Sequence, residues 1–204
     1  MAERRHAVFW DVDTQRDFML PGGNLYVPGA EKTIPNLRRL VDAARERRVF
    51  LVSDIDTHTP DDPEFKVWPP HCVRGTRGAE KIPETVTDRF LPIPNDPDYQ
   101  LPPDFEKHYP QIILEKQTLD VFDNPHTKEV VEHLGCEPEY FVFGVVTEYC
   151  VRLAAKGLLD RGCRVALVTD AVATLKTEDS QRTLDELTAR GARLVTTDEA
   201  LAQI

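Results

Sequence analysis

The chain has 204 residues, 41% of them hydrophobic, and sets 35 acidic against 25 basic side chains for a formal net charge of −10. That length suits one core burying roughly 70% of the surface its unfolded form exposes. The acidic balance supplies no basic footprint for nucleic acid or an anionic membrane, which leaves a small molecule as the expected partner. No apolar run reaches the roughly 18 residues of a spanning helix. The opening Met1-Ala-Glu-Arg-Arg-His lacks an apolar stretch followed by a small-residue cleavage site, so a soluble, cytoplasmic protein is expected. Cys72, Cys136, Cys150 and Cys163 form no CxxC pair, and a chain with an ample core has little need of cross-links, so free thiols are expected.

Residues 7–13 form a nearly continuous apolar run ending in carboxylates, the mark of a central parallel strand buried on both faces, with Asp13 at its carboxyl end. A loop carrying Pro-Gly-Gly follows, and then Ile34, Leu37, Leu40, Val41 and Ala44 give one apolar helical face. Residues 49–54 read as a second strand. From 56 to 110 runs a stretch rich in Pro, His and acids, too long for a plain connector. It concentrates potential ligands (Asp56, His58, Asp61, Asp62, Glu64, His71, His108) and should lie over the active face.

Residues 111–116 are the third strand, ending in Lys116, and 124–134 the next helix. The strand 140–143 leads through Gly144 to a helical pattern over 151–159, followed by a strand at 164–170, a helix at 178–190 and a last strand at 193–197. Strands alternating with helices predict one α/β domain over 1–204: a doubly wound, mostly parallel six-stranded open sheet with helices on both faces. Ligands in such folds bind outside the carboxyl ends of the strands.

Cys150 falls in the first turn after a strand, where free backbone N–H groups and the helix dipole favour an anion and so a thiolate. The other reading is an inert buried cysteine packed as a small hydrophobe. Asp13 and Lys116, each at a strand's carboxyl end, weigh on the choice, although such residues are often merely solvated. Together the three can hydrolyse an amide. The sulfur attacks the carbonyl, the carboxylate takes the thiol proton and returns it to departing ammonia, and the ammonium stabilises the thiolate. Backbone N–H groups at the bend, those of Cys150 and Val146, would hold the oxyanion.

Three ordered motifs now carry a resemblance. Val12-Asp-Thr-Gln-Arg-Asp-Phe18 resembles a V-D-x-Q-x-D-F opening, Leu114-Glu-Lys116 a strand-end lysine, and Gly144-Val-Val-Thr-Glu-Tyr-Cys-Val-Arg152 a G-x-x-T-x-x-C-V elbow. These are the motifs of the isochorismatase-like cysteine hydrolases, which include the nicotinamidases. The resemblance implies a catalytic triad of Asp13, Lys116 and Cys150 and a cis Val145–Val146 peptide bond beside the oxyanion site.

Asp56, His58, Glu64 and His71 form a donor set suited to zinc, iron or manganese, although histidines and carboxylates in a loop are more often simply solvated. The resemblance to nicotinamidases adds weight, because Asp56-Thr-His58 and Trp68-Pro-Pro-His71-Cys match their D-x-H and W-x-x-H-C metal motifs. Glu64 falls at a more variable ligand position. Such a metal would bind the ring nitrogen of a pyridine and orient its carboxamide. Phe18 and Trp68 are implied as walls for the ring, or else are ordinary core and lid aromatics, and Cys72 is expected to be structural.

After Lys116 the sequence Gln-Thr-Leu-Asp-Val-Phe-Asp-Asn-Pro departs from the glycine- and serine-rich continuation of nicotinamidases, and Phe122 within it could reach a substrate. A nicotinamidase is therefore the leading expectation. Next come a related cysteine hydrolase of another small amide, carbamoyl compound or isochorismate-like substrate, and a non-catalytic binding module. A homo-oligomer is expected from the family's habit.

Overall fold

The apolar runs become strands wherever β-branched and aromatic residues are buried on both sides. In the computed structural model, which describes residues 6–204, these are β1 (Ala7–Val12), β2 (Phe50–Asp56), β3 (Phe90–Ile93), β4 (Gln111–Lys116), β5 (Glu139–Val145), β6 (Arg164–Ala173) and β7 (Arg193–Val195). All pair in parallel, in the order β3-β4-β2-β1-β5-β6-β7. The helices are α1 (Arg16–Met19), α2 (Ile34–Arg45), α3 (Phe105–His108), α4 (Thr127–Leu134), α5 (Arg152–Leu159), α6 (Thr177–Ala189) and α7 (Thr197–Leu201).

Alternating side chains of the strands feed two cores. Phe9, Leu51, Phe141 and Val168 pack with α2 and α7 on one face, while Trp10, Val52, Ile112 and Val142 pack with α4, α5 and α6 on the other. This is the doubly wound sheet expected, with one correction: it has seven strands, not six. The additional strand is β3, inside the long insertion. Its run Phe90-Leu-Pro-Ile93 is short and interrupted by proline, and it pairs only with β4, an edge position where a missing N–H is tolerated.

A second correction concerns the cysteines. Cys136 and Cys163 are disulfide-bonded, whereas Cys72 and Cys150 are free. The loop after α4 and the loop before β6 run side by side, bringing the two Cα atoms to 4.3 Å, a proximity invisible in the linear spacing.

The chain order reverses between β1 and β5, which are neighbours in the sheet although one opens the fold and the other comes late. Crevices form at such switch points. Gly144 makes the close approach possible: it pairs with Val12 at φ 112°, and a Cβ there would strike the Val12 backbone. No helix among the described residues is long and apolar enough to cross a membrane.

Candidate active site and metal centre

β1 stops at Val12, and Asp13 turns out of the strand with φ 48°, so its side chain swings across the switch point. Lys116 ends β4 two strands away, and Cys150 follows β5. The structure brings the three together. Lys116 Nζ lies 2.8 Å from Asp13 Oδ2 and 3.8 Å from Cys150 Sγ, and all three residues are at least 95% buried.

The bend itself differs from a plain helix start. Thr147–Val151 is a π-helical turn that precedes α5, with Val151 N donating to Val146 O at 3.2 Å. Single π turns of this kind recur at functional sites. The Val145–Val146 peptide bond is cis, and both residues line the same pocket as Cys150.

Electrostatics revise the expected thiolate. Burial pushes the Cys150 thiol well above its ordinary value; Lys116 opposes this, but Asp13 and Asp56 reinforce it. The single ammonium beside the sulfur is also bound by two carboxylates, those of Asp13 and Asp56. Burial likewise raises Asp13, with Asp56 adding to the effect and Lys116 countering it, which makes Asp13 a stronger base than an exposed aspartate. Burial would lower Lys116, yet Asp13 and Asp56 outweigh it and keep the ammonium charged.

Asp56 stands at the junction with a second cluster. One carboxylate oxygen is bound by Lys116 Nζ; the other lies 3.8 Å from His58 Nε2 and 3.7 Å from His71 Nε2. One donor atom each from Asp56, His58 and His71 falls within 4.8 Å of the others, and all three residues are buried. Neither ring nitrogen of His58 makes a hydrogen bond, although Asp62 Oδ2 approaches Nδ1 to 3.0 Å off the hydrogen-bonding line. A fully buried imidazole without such a partner is costly, and a cation held by its Nε2 would satisfy it. His71 Nδ1 is engaged by the Pro69 carbonyl at 2.8 Å, which leaves its Nε2 facing Asp56. A pair of imidazole nitrogens with one carboxylate fits zinc, iron or manganese.

Glu64 is less engaged: its Oε1 lies 4.0 Å from His71 Nε2, outside the three-residue cluster but on the pocket wall. Asp62 stands behind His58. His108 belongs to the other end of the sheet, where its carbonyl accepts from Arg47 beside the entry to β2.

The pocket in front of Cys150 is narrow, with a cavity volume of about 30 Å³. Phe18, Leu25, Trp68, Leu119, Tyr149 and Leu175 give it apolar walls. Phe18 packs edge-on against His71 at 5.4 Å and Trp68 against Tyr149 at 5.6 Å, so both predicted aromatics sit at the site. Phe122 turns away, stacking on Trp10 at 6.3 Å under Arg161. Cys72 is fully buried, and its N–H donates to Asp17 Oδ2 at 2.7 Å, fixing the turn after His71.

An isochorismatase domain model matches residues 9–199. The chain belongs to the isochorismatase domain family. Within it, the chain is 25% identical to a nicotinamidase of Escherichia coli over 91% of its own length and 92% of the relative's. A pyrazinamidase of Pyrococcus horikoshii solved in complex with zinc is 31% identical, with a TM-score of 0.74 over 94% of this chain and 99% of that one. An N-carbamoylsarcosine amidase of Thermoplasma acidophilum is 26% identical, with a TM-score of 0.72 over 94% and 96% of the two chains.

Proposed function

We propose that this family member is a nicotinamidase, hydrolysing nicotinamide to nicotinate and ammonia through a Cys150 thioester. The observation that carries the reading is the Lys116 ammonium, 2.8 Å from Asp13 and 3.8 Å from Cys150, where Asp13 and Cys150 themselves line an apolar pocket together with Asp56 and His71 of the Asp56, His58 and His71 cluster. The resemblance to the E. coli nicotinamidase and the zinc-bound P. horikoshii pyrazinamidase supports the same reading.

Asp13 takes the proton of the Cys150 thiol as sulfur attacks the carboxamide carbon, and Lys116 offsets the charge passing through the sulfur. The backbone N–H groups of Val146 and Cys150 receive the oxyanion. As the C–N bond breaks, Asp13 returns the proton to the departing ammonia. Asp13 then draws a proton from water, whose oxygen attacks the thioester carbon; the C–S bond breaks and the thiol is restored. Phe18 and Trp68 hold the ring flat against the walls. Asp56, His58 and His71, with Glu64 in reach, would hold a divalent metal, zinc above iron or manganese, which would bind and orient the ring nitrogen rather than make the nucleophile.

The second reading, a carbamoyl substrate, has the T. acidophilum amidase on its side. Among the described pocket residues no arginine or unpaired lysine is present to receive a carboxylate, which favours an uncharged ring amide. Ammonia release from nicotinamide and from N-carbamoylsarcosine, by wild type, by Cys150→Ala and by a chelated sample, tests this. Release from nicotinamide that both alterations abolish is expected; release from the carbamoyl compound alone would sink the nicotinamidase reading.

A further inference from the structure

β1 and β2 separate before β2 ends. The last rung between them joins Val12 to Asp54, followed by a single bond from Asp13 N to Asp54 O at 3.2 Å, and there the chain turns away. β2 runs on to Asp56, which pairs with Lys116 on its other side. The N–H and C=O of Asp56 that point toward β1 are thereby left inside the protein with no strand to meet them, a costly arrangement if unfilled.

The fully buried side chain of Gln15 fills the gap. Its Oε1 accepts from Asp56 N at 2.8 Å and its Nε2 donates to Asp56 O at 2.7 Å, the same two bonds a strand peptide would make. The second hydrogen of Nε2 goes to Ala79 O at 2.8 Å, tying in the segment that follows His71 and Cys72. Only a primary amide offers one acceptor and two donors in this layout; glutamate lacks the donors and methionine lacks both.

We propose that Gln15 is a positioning residue common to the nucleophile and the metal cluster, its amide standing in for the missing rung beneath Asp56. Asp56 needs such a support because its carboxylate serves two neighbours at once, Lys116 through one oxygen and the facing Nε2 atoms of His58 and His71 through the other. Fixing the backbone on both sides of one Cα sets both distances together. The inference rests on the reading of Asp56, His58 and His71 as metal ligands for its metal half, and on Lys116 and Cys150 alone for the other half.

The test compares Gln15→Met with Gln111→Met. Gln111 is an equally buried glutamine that bonds Thr87 N, Thr85 O and Ser53 Oγ at the start of β4, remote from the site. Two quantities are measured: Zn²⁺ affinity of the folded protein, and the rate of Cys150 alkylation by iodoacetamide in chelated protein. Gln15→Met should lose about 10–100-fold in Zn²⁺ affinity and about tenfold in alkylation rate, whereas Gln111→Met should lose thermal stability without either change. Should Gln15→Met not fold, Gln15→Glu keeps the acceptor for Asp56 N but removes both donors, and its alkylation rate is read instead. Wild-type values in the Gln15 variant, or equal losses in the Gln111 variant, overturn the proposal. If the wild type itself binds no Zn²⁺, the metal reading fails and the alkylation rate alone decides on Gln15.

Discussion

Burial and the neighbouring carboxylates hold the Cys150 thiol well above its ordinary value, which defines the work of Asp13 in the proposed mechanism. Helix-start geometry favours the anion, but desolvation together with the Asp13 and Asp56 charges outweighs it, with Lys116 pulling the other way. In the proposed mechanism a carboxylate then removes the proton during attack. Asp13→Asn should lower kcat about 10²–10⁴-fold with little effect on KM, measured by ammonia release at saturating nicotinamide. Because the thiol's ordinary value is exceeded, deprotonation grows with alkalinity and is incomplete at neutral pH. The alkylation rate of Cys150 in chelated wild type should accordingly keep climbing through pH 9; a plateau below pH 8 would show a preformed thiolate. At this scale the sequence disclosed the residues that the structure brings together, because Asp13, Lys116 and Cys150 punctuate strand ends. It named Asp62 only among potential ligands and Gln15 only within the opening motif, because their partners, an imidazole and a backbone, depend on β2 and the insertion folding over one another.

The bend and its helix show how a local exception is set by a neighbour. Gly157 lies inside α5, where alanine would ordinarily be more stable by roughly 1 kcal/mol. A Cβ there would run into the ring of Phe122, which is itself clamped between Trp10 and Arg161. Gly157→Ala should therefore destabilise, by about 1–3 kcal/mol in urea unfolding, because overpacking exceeds the helical gain. This contact also explains why the 117–123 segment shapes the pocket through Leu119 rather than Phe122. Elements with strong periodicity, β1, β2, β4 and α2, stood where the apolar pattern put them. β3 and α7 did not show, being short and half exposed, and the π turn at Thr147–Val151 has no signature distinct from an α-helix start. The Cys136–Cys163 pair was hidden for a related reason: the sequence gives 27 residues of separation, and only the packing of α4 beside the entry to β6 closes it.

Across the whole molecule, the site depends on a long insertion being held down on the sheet, since it delivers His58, Glu64, Trp68 and His71. Apolar burial contributes part of the hold, and a buried polar anchor adds to it. Lys81 Nζ bonds Asp11 Oδ2 at 2.7 Å and Thr14 Oγ1 at 2.8 Å, and Ser53 and Thr14 also reach that carboxylate. The two charged side chains are 3% and 0% exposed, so neither can turn to water if the other is removed. Lys81→Met should cost about 3–5 kcal/mol, leaving Asp11 charged and unpaired in the core, and should open the insertion to proteolysis before the sheet unfolds. Replacing both partners, Asp11→Leu with Lys81→Met, removes the stranded charge and should recover much of the loss. Urea unfolding of the single and double variants, with limited proteolysis mapped by mass, separates the two outcomes. An additive double variant, or a first cut outside residues 57–110, would mean that the pair is not what holds the insertion in place.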